Sequence, residues 1–302
     1  MTPEPAVATP LAQREHWDAV HEHESLDRTR ARGDSAWRRS KRALKRLLGS
    51  RLVAAISNYD DYLLWETILP QVLAGRRGQR AVEAGSAPGE FLVKLRDRFG
   101  LDVYGIEYSA VGAELNRAAF RTAGIPSQNV IAGDFFAIAR ERRYRGFFDV
   151  VISRGFIEHF TDPSEAIDRH LDVLSDDGIL IVSVPNLRGL NFLGSWVLDR
   201  KVVGMHNLSI MARDSFEGLF VDRPLDVKLC RYYGTFNLCV FNTRSDSPLR
   251  PLLRASQRLQ PALNVAFRTM FGYRSFEHKW SSPNLIFIGR KTPMSVRPSA
   301  PR

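Results

Sequence analysis

Three carboxylates, Glu83, Glu107 and Asp134, recur 24 and then 27 residues apart, each at or near the end of a short apolar run. The first run leads into a glycine-rich turn, VEAGSAPGEF at 82–91. Such a turn between a strand and a helix often cradles phosphate, but the residue types here argue against it. A dinucleotide turn, G-x-G-x-x-G, would need glycines where Gly85, Ala87 and Glu90 stand, and the P-loop pattern G-x-x-x-x-G-K-[ST] is absent. Gly85 and Gly89 allow positive φ or a close ligand approach, while Pro88 stiffens the turn and withholds a donor. Glu83 would repel a polyphosphate and tolerate an ammonium group. Glu107 can accept both hydroxyls of a ribose. Asp134 can accept from an exocyclic amine, and Phe135 can pack on a flat base. Together these residues describe a site for a nucleoside linked to an amino acid.

The elements that must position them follow from periodicity. Short apolar runs at 81–85, 102–107, 129–134, 147–153 and 178–184 alternate with amphipathic segments: FLVKLRDRF, AVGAELNRAAFRTA, FFAIARERR and PSEAIDRHLDVL. Strand and helix in alternation at this spacing predict an α/β fold, a doubly wound parallel sheet covered on both faces. The nearly all-apolar strands agree. Ligands bind at the carboxyl ends of strands in such sheets, where the three acids stand. After Val184 the alternation stops. The stretch from Pro185 to Met211 reads as an irregular apolar insertion. LDVKLCRYYGTFNLCVFN reads as one or two strands, 248–272 as basic amphipathic helix, and SPNLIFIGRK as the last strand. Residues 59–73 have helical spacing and are placed across the top of the following domain.

The run from about Gln79 to Val184 resembles the core of class I S-adenosylmethionine-dependent methyltransferases. VEAGSAPGEF, YGIEYS, AGDFF, FDVVISRGFIEHF and LSDDGILIVSVPN appear in the family's order with normal spacing. The resemblance implies a mostly parallel, seven-stranded Rossmann-like sheet with a helical N-terminal cap and C-terminal insertions, and S-adenosyl-L-methionine as cofactor. It implies that Glu83, Gly85, Ser86, Ala87 and Gly89 line the methionine part. Glu107 would take the ribose hydroxyls, with Tyr108 against the adenine. Asp134 would face the adenine amine, with Phe135 stacking, and Ser153 and Arg154 would flank the sulfonium. Ala87 departs from the second glycine that many members carry. The organisation expected is a tail at 1–12, a helical cap at 13–78, the methyltransferase domain at 79–291 with insertions at 186–214 and 242–281, and a second tail at 292–302.

Methyl transfer from a sulfonium needs alignment and sometimes a base. His159, in GFIEHFTDP, and His206, in GMHNLSIM, are the catalytic candidates, since imidazole titrates near neutrality. His159 can equally cap or pack its loop. Glu158 reads as a loop-stabilising acid, HEHE at 21–24 as a solvated helix face, and no metal is expected. The family's ribose 2′-O-methylating members carry a catalytic Asp and Lys where this chain reads ISRG and IVSVPN. The N/D-P-P-[YFW] run of many base amino-group methylases is also missing. Both absences favour O-methylation of a small molecule, sugar or lipid-linked acceptor. N- or C-methylation, RNA methylation and a non-catalytic binding role are the alternatives.

The chain has 302 residues, a net charge of +10 and two cysteines, Cys230 and Cys239. So few cysteines exclude a disulfide scaffold and fit a reducing compartment. No apolar run of about 18 residues marks a membrane span. The N-terminal run lacks the basic-then-apolar order of a secretory signal. A cytoplasmic protein is therefore expected. Arg28 to Arg51 holds ten Lys or Arg against a single acid, Asp34. With Leu44, Leu47, Leu48 and Leu52 on one face, it can form a solvated helix face or lie peripherally on an anionic membrane surface. Nucleic acid is the disfavoured partner, and a small-molecule acceptor the favoured one.

Overall fold

The computed structural model describes residues 9–22, 56–241, 247–271 and 277–293. Seven strands form one sheet: β1 (Arg80–Ala84), β2 (Asp102–Glu107), β3 (Val130–Ala132), β4 (Phe148–Arg154), β5 (Leu174–Pro185), β6 (Leu225–Tyr233) and β7 (Asn284–Lys291). Their order is β3-β2-β1-β4-β5-β7-β6. Strands β1 to β5 pair in parallel, and β7 runs antiparallel between β5 and β6. The chain winds outward from β1 through β2 to β3, then returns to lay β4 on the other side of β1. The strand order reverses there, and a ligand crevice belongs at the carboxyl ends of β1 and β4.

Apolar side chains cover both faces. On one face Val82, Val151 and Val182 pack under the helices Phe135–Arg140 and Ser164–Val173, with Phe216 and Phe220 beyond. On the other, Val150, Ile152 and Ile181 pack under Leu92, Leu95 and Phe120 of the helices Glu90–Phe99 and Ala110–Ala123. Leu64, Trp65, Ile68, Leu69 and Leu73 join this second cluster. The helical run from Tyr59 to Leu73 is thus a layer against the sheet, not a cover over its top as its sequence position implied. It widens to a π turn at Leu64–Ile68. Pro70, which follows, has no N–H to return to the preceding turn.

The insertion after β5 is more regular than its sequence implied, with helices at Gly189–Leu198 and Arg200–Gly204. The apolar stretch after it yields one strand, β6, which ends before Gly234 at φ +82°. The basic stretch forms two helices, Arg250–Gln257 and Gln260–Phe271. No helix among the described residues is long and apolar enough to cross a membrane. Of the expected polar N-terminal helix, residues 14–22 are helical. The basic segment Arg28 to Arg51 lies outside the described residues.

Candidate active site

The tips of β1 and β2 are joined by hydrogen bonds through one carboxylate. Glu107 accepts from the Ala87 N–H with Oε2 and from the Ser109 N–H with Oε1, both at 2.9 Å. The glycine turn is thereby fixed to the second strand. Gly89 begins the helix Glu90–Phe99 with φ +89°, and a Cβ there would collide with Asn116 Oδ1. Asn116 Nδ2 donates to Ser86 Oγ at 2.6 Å. Ser86 and Gly89 therefore shape the turn from behind. Gly85, Ala87, Glu107 and Tyr108 line a cavity of about 410 Å³, within the usual size range for a small-molecule site.

The tips of β3 and β4 form the opposite wall. Asp134 caps the helix Phe135–Arg140 by accepting from the Phe136 N–H at 3.1 Å, and both Asp134 and Phe135 line the cavity. Phe135 is nonetheless largely committed to the core, its ring 5.5 Å from Phe156 and 4.6 Å from His170. Arg154 reaches the cavity from β4. Its Nε donates to Glu83 Oε1 at 2.9 Å, and its guanidinium lies 3.6 Å from the Phe91 ring centroid. Glu83 itself is buried behind Arg154 and does not line the cavity. Burial raises its pKa, and Arg154 opposes that rise. Ser153 Oγ is buried with no hydrogen-bond partner among the described residues, also away from the cavity wall.

Residues 9–22 close the cavity from above. Pro10 bridges to Phe160, and the Leu11 N–H donates to the His159 carbonyl at 2.7 Å. Trp17 sets its ring edge-on to His159, 4.7 Å between centroids. Ser109 Oγ donates to Asp18 at 2.5 Å, and Arg14 lies over the Tyr108 ring.

His159 and His206 come together beside this lid, with ring centroids 4.6 Å apart. His159 lines the cavity; His206 stands behind it. Burial and the neighbouring His206 hold the His159 pKa down to about 4, so the ring is neutral at neutral pH. Glu158 is fully buried, and neither carboxylate oxygen is hydrogen-bonded to another residue among the described ones. Its side chain ties the loop to no other described residue, where the sequence reading gave it a loop-stabilising role. Burial pushes its pKa up to about 8, with its own backbone N–H pulling the other way.

The family model described as "Methyltransferase domain" matches residues 57–227. The chain belongs to the methyltransferase-domain family. It is an S-adenosyl-L-methionine-dependent methyltransferase. No curated protein matches it by sequence. Among solved structures, a Bacillus halodurans C-125 protein assigned as a methyltransferase aligns with TM-score 0.51 and 14% identity, over 74% of this chain and 97% of that one. Geranyl diphosphate C-methyltransferase from Streptomyces coelicolor A3(2) aligns with TM-score 0.48 and 17% identity, over 78% and 85%. A Galdieria sulphuraria protein assigned as a sarcosine dimethylglycine methyltransferase aligns with TM-score 0.46 and 16% identity, over 77% and 85%. At these identities the first likeness bears on the fold alone.

The residues present fit the methyltransferase cofactor. Each Glu107 oxygen spends one lone pair on a backbone N–H and keeps capacity for a ribose hydroxyl. Arg154, held by Glu83, offers a guanidinium edge suited to a carboxylate. The acid of β1 thus meets the cavity through an arginine, where the sequence placed the carboxylate itself at the ligand. Sequence reasoning missed the lid residues Gln13 and Arg14 and the wall residues Phe136, Arg140 and Phe156. Phe136 and Phe156 lie within the motifs AGDFF and FDVVISRGFIEHF, whereas the lid gave no periodic signal.

Proposed function

We propose that this methyltransferase transfers its methyl group to an oxygen of a small molecule, a sugar or a lipid-linked acceptor. The observation that carries the reading is the imidazole pair at His159 and His206, set at and just behind the cavity wall. Bound S-adenosyl-L-methionine supplies an electrophilic methyl on a sulfonium. Glu107 holds the ribose, Asp134 the adenine edge, and Arg154 the amino-acid end. Tyr108 and Phe135 bracket the base, while Gly85 and Ala87 let the turn approach the chain between. Gly89, Ser86 and Ser153 act from behind the wall. A hydroxyl acceptor must give up its proton as its oxygen takes the methyl. His159, kept neutral by burial, accepts a hydrogen bond from that hydroxyl through Nε2 and takes its proton as the methyl is transferred, with His206 packed behind it. The lid over residues 9–22 excludes water from the transfer. The missing N/D-P-P-[YFW] run weighs against amino-group acceptors on bases, and the missing Lys and Asp against ribose 2′-hydroxyls.

The test uses the full chain, a methyl-labelled donor, and small-molecule, lipid and RNA fractions of a cell extract. Labelled product should appear in the small-molecule or lipid fraction, with the carbon shift of an O-methyl group in its magnetic-resonance spectrum. Methyl found on nitrogen or carbon, or label confined to RNA, would overturn the assignment.

A further inference from the structure

We propose that Glu158, His159 and His206 bind a divalent first-row transition cation of the zinc class at the wall of the cofactor cavity. One carboxylate oxygen and one nitrogen from each imidazole lie within 4.8 Å of one another. The measured pair, His159 Nε2 and Glu158 Oε1, stands at 3.9 Å. Zinc bonds of about 2.0–2.2 Å place tetrahedral donors roughly 3.3 Å apart. Closing that gap takes side-chain movements on the order of 1 Å.

Three independent features aim these groups at a cation. The first is the Glu158 carboxylate, fully buried with neither oxygen hydrogen-bonded to another residue among the described ones. A buried carboxylate in that state is costly unless something satisfies it, and a cation does so while keeping it ionised. The second is the His159 tautomer. Nδ1 lies 2.9 Å from the Met205 carbonyl. A carbonyl only accepts, so Nδ1 carries the proton and Nε2, 3.9 Å from Glu158 Oε1, keeps its lone pair for a ligand. A backbone carbonyl behind a ligating imidazole is the usual outer partner of a metal-bound histidine. The third is the way the two loops are tied. Glu158 and His159 sit on the turn Ile157–His159 after β4, while His206 precedes the turn Leu208–Met211 after β5. The Asn207 N–H donates to the Glu158 carbonyl at 2.7 Å, and Asn207 Nδ2 donates to the carbonyls of Phe160 and Thr161. The residue after His206 is thus locked to the residues on both sides of His159, so the three donors are assembled by Asn207 hydrogen bonds that do not depend on the ion.

Donor type selects the cation. Two imidazoles and one carboxylate suit zinc, iron or nickel better than magnesium or calcium, which prefer all-oxygen sets. Three protein ligands leave a coordination position open, as catalytic zinc sites do. Because His159 lines the cavity, that position lies on the acceptor side. A cation there would lower the pKa of an acceptor hydroxyl, and activation would fall to it instead of to the His159 imidazole. This role rests on the O-methylation reading; the binding itself does not.

The test is a titration of full-length, chelator-treated protein with Co2+, followed by its visible d–d bands, then with Zn2+ as competitor. The expected result is one cation per chain, bands of four- or five-coordinate cobalt, and their loss on adding Zn2+. His206→Ala and Glu158→Gln should each weaken binding about 100-fold or more, the upper range for removing even an outer partner. Calorimetry with S-adenosylhomocysteine identifies which variants keep their fold. Native protein without d–d bands would overturn the site, as would a folded variant of either residue with unchanged cobalt affinity. Failure of the O-methylation reading looks different: cobalt binds as expected, yet the methyl is found on nitrogen or carbon.

Discussion

Arg154 and Glu83 face each other across adjacent strands, with Nε donating to Oε1 at 2.9 Å. The register that pairs Ala84 of β1 with Ser153 of β4 makes them neighbours. Glu83 is sealed from solvent, whereas Arg154 keeps 38% of its side chain exposed and reaches the ligand cavity. The acid therefore serves as an anchor for the arginine, and the arginine is the group that faces the cavity.

Removing Arg154 should cost more than a surface ion pair would. Arg154→Met leaves a buried carboxylate without its partner, a change worth about 3–5 kcal/mol for a fully buried pair. The exposed side of Arg154 reduces that to about 2–3 kcal/mol. Adding Glu83→Gln to Arg154→Met should recover part of the loss, because the unpaired charge disappears. Urea denaturation of both variants checks this. A single variant within about 0.5 kcal/mol of native, the usual range for an unremarkable surface position, would show the pair to be incidental.

Glu107 holds the Ala87 and Ser109 N–H groups, and variants separate that role from the ribose contact proposed for it. Glu107→Gln keeps a carbonyl oxygen for one of the backbone donors at Ala87 and Ser109, but it loses the charge. Charge-assisted hydrogen bonds contribute about 1.5–3 kcal/mol each. We expect S-adenosylhomocysteine affinity to fall at least about tenfold in Glu107→Gln and further in Glu107→Ala, read by calorimetry. Affinity unchanged in both variants would remove Glu107 from the cofactor site.

Much of this was legible in the sequence, for a definite reason. In a parallel sheet the strand ends converge, so acids and glycines at successive ends, such as Glu107, Gly85 and Asp134, are gathered without any knowledge of packing. What the sequence hid depends on long-range pairing. Whether Glu83 faces the ligand or an arginine follows from the β1–β4 register, which no local pattern encodes. Glu158 and His206 belong to different loops, and they meet because the neighbouring Asn207 binds the Glu158 and Phe160 carbonyls. The lid was obscure because residues 14–22 carry one large apolar anchor, Trp17, with no helical stripe around it. The helix over 59–73 was readable as a helix, but its burial against the sheet was not.

Trp17 tests the lid. Its ring rests edge-on against His159, and both line the cavity. An aromatic pair of this kind contributes about 0.5–1.5 kcal/mol beyond its buried area. Trp17→Ala should loosen residues 9–22 and speed cofactor release, with little change in the unfolding midpoint of the sheet core. Stopped-flow displacement of S-adenosylhomocysteine should show a dissociation rate about threefold to tenfold higher. An unaltered rate would mean that the segment covers the cavity without holding the ligand.

Glu158 should leave a signature in the pH dependence of stability of chelator-treated protein. Its pKa in the fold is about 8, against 4.5 for the free side chain. Between those values the folded chain keeps a proton that the unfolded chain has released. Stability is then fully present below about pH 4.5 and is lost as pH rises toward 8, with a slope of at most ~1.4 kcal/mol per pH unit from this group. His159 and His170 act in the opposite sense. Burial lowers each from 6.5 to about 4, so their contribution is full above 6.5 and is lost as pH falls through that window. The raw profile mixes these slopes, but the difference between native protein and Glu158→Gln cancels most of the histidine part, leaving only the coupling between Glu158 and its neighbour His159. Urea unfolding at pH 5, 6.5 and 8 should therefore show Glu158→Gln gaining on native protein at each step. A difference that stays flat across the three pH values would mean that Glu158 is ionised throughout, held by a partner that the chelator did not remove.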